Sequence, residues 1–249
     1  MSPFRIVRYA RYQVGDYLLQ RGALPFFLVL MLAAIPRFGM THNAGPNFWT
    51  SPDGQTFARQ MFLNTITNFL PLGAYFAVVG LLSADRQKGH FRFLFSKPVA
   101  VDRYYLQALL LHGAAFVGLF GVLTWGWGLA TTHVSVSGAV QAAALTWVLL
   151  GGIGLALGAL TRFDGGVLMV SYLAATITQQ LAATPNDAVP GWVAVLARVL
   201  PPAQALDQTR GAFYSGQPID MSKFWLVVGY GAGAWLVGWI AMRRGSLQR

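Results

Sequence analysis

The stretch 83-SADRQKGHFRFLFSKPVAVDRYY-105 carries Arg86, Lys88, Arg92, Lys97 and Arg103, yet it lies between two long apolar runs. Within it Phe91, Leu94 and Phe95 recur at helical spacing with charge on the other side, the pattern of an amphipathic helix. Its neighbours decide how it is read. Of the 249 residues, 55% are hydrophobic and only 10% are charged, against about 25% charged in ordinary soluble domains. Mean hydropathy is +0.50. Composition therefore specifies an integral membrane protein of the all-α class, and the quoted stretch is a loop helix between two membrane spans.

Apolar runs near the roughly 20-residue length of a bilayer span occur at about 22–35, 62–82, 107–129, 140–160, 166–183 and 224–242. Six transmembrane helices are expected within one domain covering 1–249. Ahead of them, 4-FRIVRYARYQVGDYLLQ-20 alternates arginines and aromatics and is too polar to cross. Residues 1–21 read as an interfacial helix on an anionic leaflet, and no cleavable signal peptide is evident in so Arg-rich a start. The segment 36-PRFGMTHNAGPNFWTSPDGQTFARQ-60 reads as a loop at the opposite surface. Residues 184–223 form an external loop, in which 190-PGWVAVLARVLPP-202 is apolar but too short to span. It is expected to be a short re-entrant or interfacial helix.

Lysine and arginine orient the spans. With both termini in the cytoplasm, the inner segments hold Arg5, Arg8, Arg11, Arg21, Arg86, Lys88, Arg92, Lys97, Arg103, Arg162, Arg243, Arg244 and Arg249. The outer segments hold only Arg37, Arg59, Arg198, Arg210 and Lys223. This bias satisfies the positive-inside rule and places 83–105 in the cytoplasm. It also explains the net charge of +10 without nucleic acid as a partner. Membrane lipid is the expected surroundings.

Several chemistries are excluded or left without support. There is no cysteine, hence no disulfide, thiolate metal site or cysteine nucleophile. The phosphate-loop pattern is absent, so the chain cannot hydrolyse ATP alone. No H-E-x-x-H motif or nucleophile elbow occurs, and His42, His90, His112 and His133 lack ligand spacing. No catalytic or metal-ligating residue is assigned. His112 falls inside an apolar run, where it is either a functional ionisable group or a neutral packing residue. Gly154 with Gly158, and Gly229 with Gly233, form small-residue pairs that suit close helix packing. Asn64 and Asn68 share one face of the second run, with Thr65 and Thr67 nearby, and Thr176, Thr178, Gln179 and Gln180 mark the outer half of the fifth. In hydrocarbon such side chains either line a translocation path, for which Asn64, Asn68, Thr176 and Gln180 are the candidates, or bond helix to helix.

The pattern D-R-Q-K-G-H-F-R-F-L-F-S-K-P-V resembles the signature of ABC type-2 transporter permeases, the membrane subunits of ATP-binding-cassette exporters. Asp85, Lys88, Gly89, Leu94, Pro98 and Val99 stand where that signature has its acidic, basic, glycine, leucine and Pro-Val positions. Gln87 replaces a common second acidic residue and His90 the usual threonine. The resemblance implies a cytoplasmic coupling helix between spans two and three. Asp85, Lys88, Gly89, Phe91, Arg92, Leu94, Phe95 and Pro98 would dock it to a separate ATPase subunit that holds ATP and magnesium, while this chain holds no cofactor. It further implies a second permease chain, identical or not, meeting this one through spans two and five. Residues 193–200 are placed to gate the exit. The plasma membrane of a prokaryote follows from the family. The other readings that composition leaves open are a secondary transporter and a membrane-embedded enzyme without an ATPase partner. The substrate is not legible.

Overall fold

The computed structural model describes residues 11–12, 14–15, 17–22, 48, 51–79, 81, 101–130, 134–161, 164–183 and 190–244. Residues Asp85 to Pro98 of the expected coupling helix, and the first expected span beyond Gly22, lie outside them. Local chemistry sets the first long helix. Ser51 Oγ accepts from the Gly54 N–H at 3.2 Å and donates to the Phe48 carbonyl at 2.6 Å. Pro52 and Asp53 follow, a proline with no N–H to leave unsatisfied and a carboxylate against the positive end of the helix dipole. Helix α1 consequently runs Pro52–Val78, starting well before the expected 62. At about 40 Å it exceeds the roughly 30 Å hydrocarbon core, and its first turns expose Gln55, Thr56, Arg59 and Gln60.

The remaining helices are α2 (Val101–Ala130), α3 (Val136–Leu160), α4 (Asp164–Ala183), α5 (Gly191–Val199), α6 (Ala203–Ser215) and α7 (Met221–Arg243). No strand occurs among the described residues. Five of these helices, α1, α2, α3, α4 and α7, are long and apolar enough to cross a membrane, so the chain is a helical membrane protein. Five of the six expected spans thus have a helix, each within a few residues of its expected C-terminal limit. The N-terminal limits move outward where a cap is available. Ser135 caps α3 by accepting from Gly138 N at 3.0 Å. Asp220 caps α7, accepting from Ser222 N at 3.0 Å and pairing with Lys223 at 2.9 Å. Hydrogen bonds from Ser222 and then Lys223 hold the Asp220 carboxyl well below the ordinary carboxylate range.

Helix α3 is the centre of the bundle: 72% of its apolar window is buried, against 17% for α4 and α7. Glycine makes this possible. A Cβ on Gly231 would sit 2.6 Å from the Val148 carbonyl oxygen, and one on Gly152 would sit 2.5 Å from the Gly231 oxygen. The α3 and α7 backbones therefore touch, and Trp235 Nε1 donates across the seam to the Val148 carbonyl at 3.0 Å. Of the two expected small-residue pairs, Gly154 packs tightly on Val78 of α1, whereas a Cβ added to Gly229 or Gly233 would meet no other helix within 4 Å among the described residues. The packing face of α7 is the one carrying Gly231 and Gly238.

Arg243 Nε donates to Asp102 at 3.1 Å, so α2 starts where α7 stops. His112 Nδ1 donates to the Ala77 carbonyl at 3.1 Å, and the ring lies 5.3 Å from that of Tyr17. Histidine 112 is 1% exposed and ties α1 to α2 as a packing residue. Of the expected interfacial helix, 11–12 and 14–15 are helical and Tyr17–Gly22 forms a π-helical turn whose Tyr17 is buried in the core. Arg11 and Tyr12 are exposed.

Candidate functional site

The sequence predicts one short helix within residues 184–223, and the described part of the segment holds two. Pro190 and Pro202 each precede a helix start, and Gly216, with φ 68°, ends the second in the left-handed conformation that glycine adopts without strain. Helix α5 buries Val193 alone and exposes Trp192, Val195 and Val199, which suits the expected membrane-surface position. Helix α6 is different. It buries Ala203, Leu206, Thr209, Arg210 and Tyr214, a face at i, i+3, i+4 spacing that turns inward onto α3, α4 and α7.

Gln179 holds the two short helices against α4. Its side-chain nitrogen donates to the Pro201 carbonyl at 2.8 Å and the Ala197 carbonyl at 3.2 Å, while its oxygen accepts from Gln204 N at 2.8 Å. Of the two roles open to polar side chains in the fifth expected span, Gln179 takes the helix-to-helix one. Thr178 bonds its own helix, donating to the Ala174 carbonyl at 2.7 Å.

This staple sets α6 beside a cavity of about 360 Å³ between α1 and α4. Its apolar walls include Phe69, Leu72, Leu150, Leu168 and Leu173, and its polar lining includes Thr67, Asn68, Tyr172, Thr176, Asp207 and Arg210. Two of the four expected path residues, Asn68 and Thr176, line it together. Asn64 and Gln180 lie on the same helices, exposed, but not in its wall. Thr176 Oγ1 donates to the Tyr172 carbonyl at 3.0 Å, leaving its oxygen lone pairs available. Pro71 also lines the cavity and has no N–H to give the Thr67 carbonyl one turn earlier.

The burial of Arg210 is not legible in the sequence: it is 2% exposed and pairs with Asp207, whose side chain is 42% exposed. Its Nη2 donates to Asp207 Oδ1, while Nε and Nη1 are buried with no hydrogen-bond partner. The guanidinium acts electrostatically on the hydroxyls of both Tyr172 and Tyr214. Tyr172, near the middle of α4, lines the same cavity as the pair. The signal for the helix itself was available in 201-PPAQALDQTRGAFYSG-216: a Pro-Pro start, a Gly stop, an i, i+3 Asp–Arg pair and an apolar helical face. No group of three or more metal-ligating side chains occurs among the described residues. The chain matches no protein-family model, no characterised protein and no solved structure.

Proposed function

We propose that this chain is the membrane subunit of an ATP-driven export system, working with a separate ATP-binding-cassette ATPase that holds ATP and magnesium. The observation that carries the reading is the basic, half-apolar stretch 83–105 joining α1 to α2. Those are the two helices to which a docked ATPase would deliver its motion. The cavity supports it, since α1 and α4 correspond to the spans expected to face substrate and a second permease chain. Nucleotide binding in the partner would shift an equilibrium between two arrangements of these helices. The bundle end where Asp102 meets Arg243 would then be cytoplasmic in a prokaryotic plasma membrane.

Phe91, Leu94 and Phe95 would anchor the ATPase, with Asp85 and Arg92 at the rim. Phe95→Ala is expected to abolish ATPase co-purification while membrane insertion is kept. A buried aromatic anchor commonly carries about 2 kcal/mol or more. Arg92→Ala should do less, and less again at high salt. Wild-type co-purification with Phe95→Ala would remove the docking role. Topology has its own test in a chain without native cysteine: a Cys introduced at 217 should label from outside and one at 88 only from inside.

The Arg210–Asp207 pair, set in a cavity between span-length helices and beside two short helices, favours one other reading, a secondary transporter driven by an ion gradient. Transport by the reconstituted chain without any ATPase would select it.

A further inference from the structure

The geometry points to a binding site for a zwitterionic ligand with an apolar portion, held between Arg210 and Asp207 in the α1–α4–α6 cavity. This deepens the transport reading above and rests on it for the ligand's role, although binding can be measured without it. Arg210 carries donors on Nε and Nη1 that are buried and unpartnered, and a charged donor left so strongly favours an acceptor. Asp207 spends Oδ1 on Arg210, and 42% of its side chain remains exposed. Unused donor capacity on a buried cation therefore lies in the cavity wall next to unused acceptor capacity on an anion.

Charge balance selects among ligands. The Asp207–Arg210 pair sums to zero, and it lies among apolar helices where an uncompensated charge is costly. A simple anion would leave the site negative and a simple cation would leave it positive. A ligand with both signs keeps it neutral, with its carboxylate or phosphate on Arg210 and its ammonium on Asp207. The apolar wall from Phe69, Leu72, Leu150 and Leu173 would take the hydrocarbon part, and about 360 Å³ falls in the range of small-molecule sites. Peptides with free termini and phospholipids with an ammonium headgroup share this chemistry.

The test uses the full chain in discs of anionic phosphatidylglycerol, with binding followed by calorimetry. Leucyl-leucine is compared with its N-acetyl form, which is only anionic, and its amide, which is only cationic. Lysophosphatidylethanolamine is compared with lysophosphatidylglycerol. At least one zwitterion should bind tenfold or more tightly than its singly charged counterparts, and the series in which this occurs identifies peptide or lipid. Asp207→Asn should move the preference to the anionic probe, and Arg210→Gln should move it to the cationic one. Either variant suffices if the other fails to fold. Binding of no probe, equal binding of charged and zwitterionic probes, or an unchanged preference in a folded variant would overturn the assignment. Zwitterion binding without ATPase co-purification would leave the site standing and remove the ATP-driven reading instead.

Discussion

Along the α3–α7 seam, glycine brings two backbones into contact, and Trp235 donates a side-chain hydrogen bond across it to the Val148 carbonyl. Along the α1–α4–α6 wall, Phe69, Leu150, Tyr172 and Leu173 hold the helices around a cavity that contains an ion pair. The two regions draw on similar apolar residues but differ in what keeps them together. Lipid tails are as apolar as leucine, so helices in a bilayer associate through close van der Waals contact rather than by escaping water. The seam maximises that contact. The wall forgoes it around buried polar groups, and a structure tolerates such loss chiefly where function requires it.

Three substitutions can break or sharpen this contrast. Gly231→Leu should have the largest effect, because its side chain must enter space held by the Val148 carbonyl, and backbone cannot rotate aside. A loss of about 3 kcal/mol or more is expected, read as a lowered thermal unfolding midpoint in detergent. If stability were unchanged, the seam would not be the structural centre. Gln179→Leu should cost about 2 kcal/mol by leaving buried partners at Pro201 and Gln204 unpaired. Its distinguishing readout is faster amide exchange across 197–204 with the α3–α7 core still protected. Uniform loss of protection would mean that the two regions are one cooperative unit. Gly233→Ala should change stability by less than about 0.5 kcal/mol, since nothing lies within 4 Å of the added carbon. A larger loss in the membrane than in detergent would show that this face of α7 meets another chain.

Much of the seam was open to reading and its register was not. Small residues in 140–160 and 224–242 announce close packing, and within the chain the contact uses Gly231 and Gly238 rather than Gly229 and Gly233. A chain of alternating small and aromatic residues offers several glycine faces, and only the partner helix selects one. In the cavity, Asn68 and Thr176 were legible because amides and hydroxyls in a lipid-facing run need a reason to be there. Arg210 was not, because a cation between prolines near a span end satisfies a loop equally well by composition.

Composition and run length by themselves determined that this is a helical membrane protein, because hydrocarbon leaves the backbone no alternative to internal hydrogen bonds. They also determined the approximate ends of α2, α3, α4 and α7, where apolar runs meet polar or cap-forming residues. Tertiary structure alone decided that α6 turns its Arg210 inward, that Gln179 staples the short helices to α4, and that Asn68 shares a cavity with Thr176. Each of these depends on contacts between residues far apart in sequence. Burial of a charge is set by what surrounds it in space, and nothing in its local sequence records that.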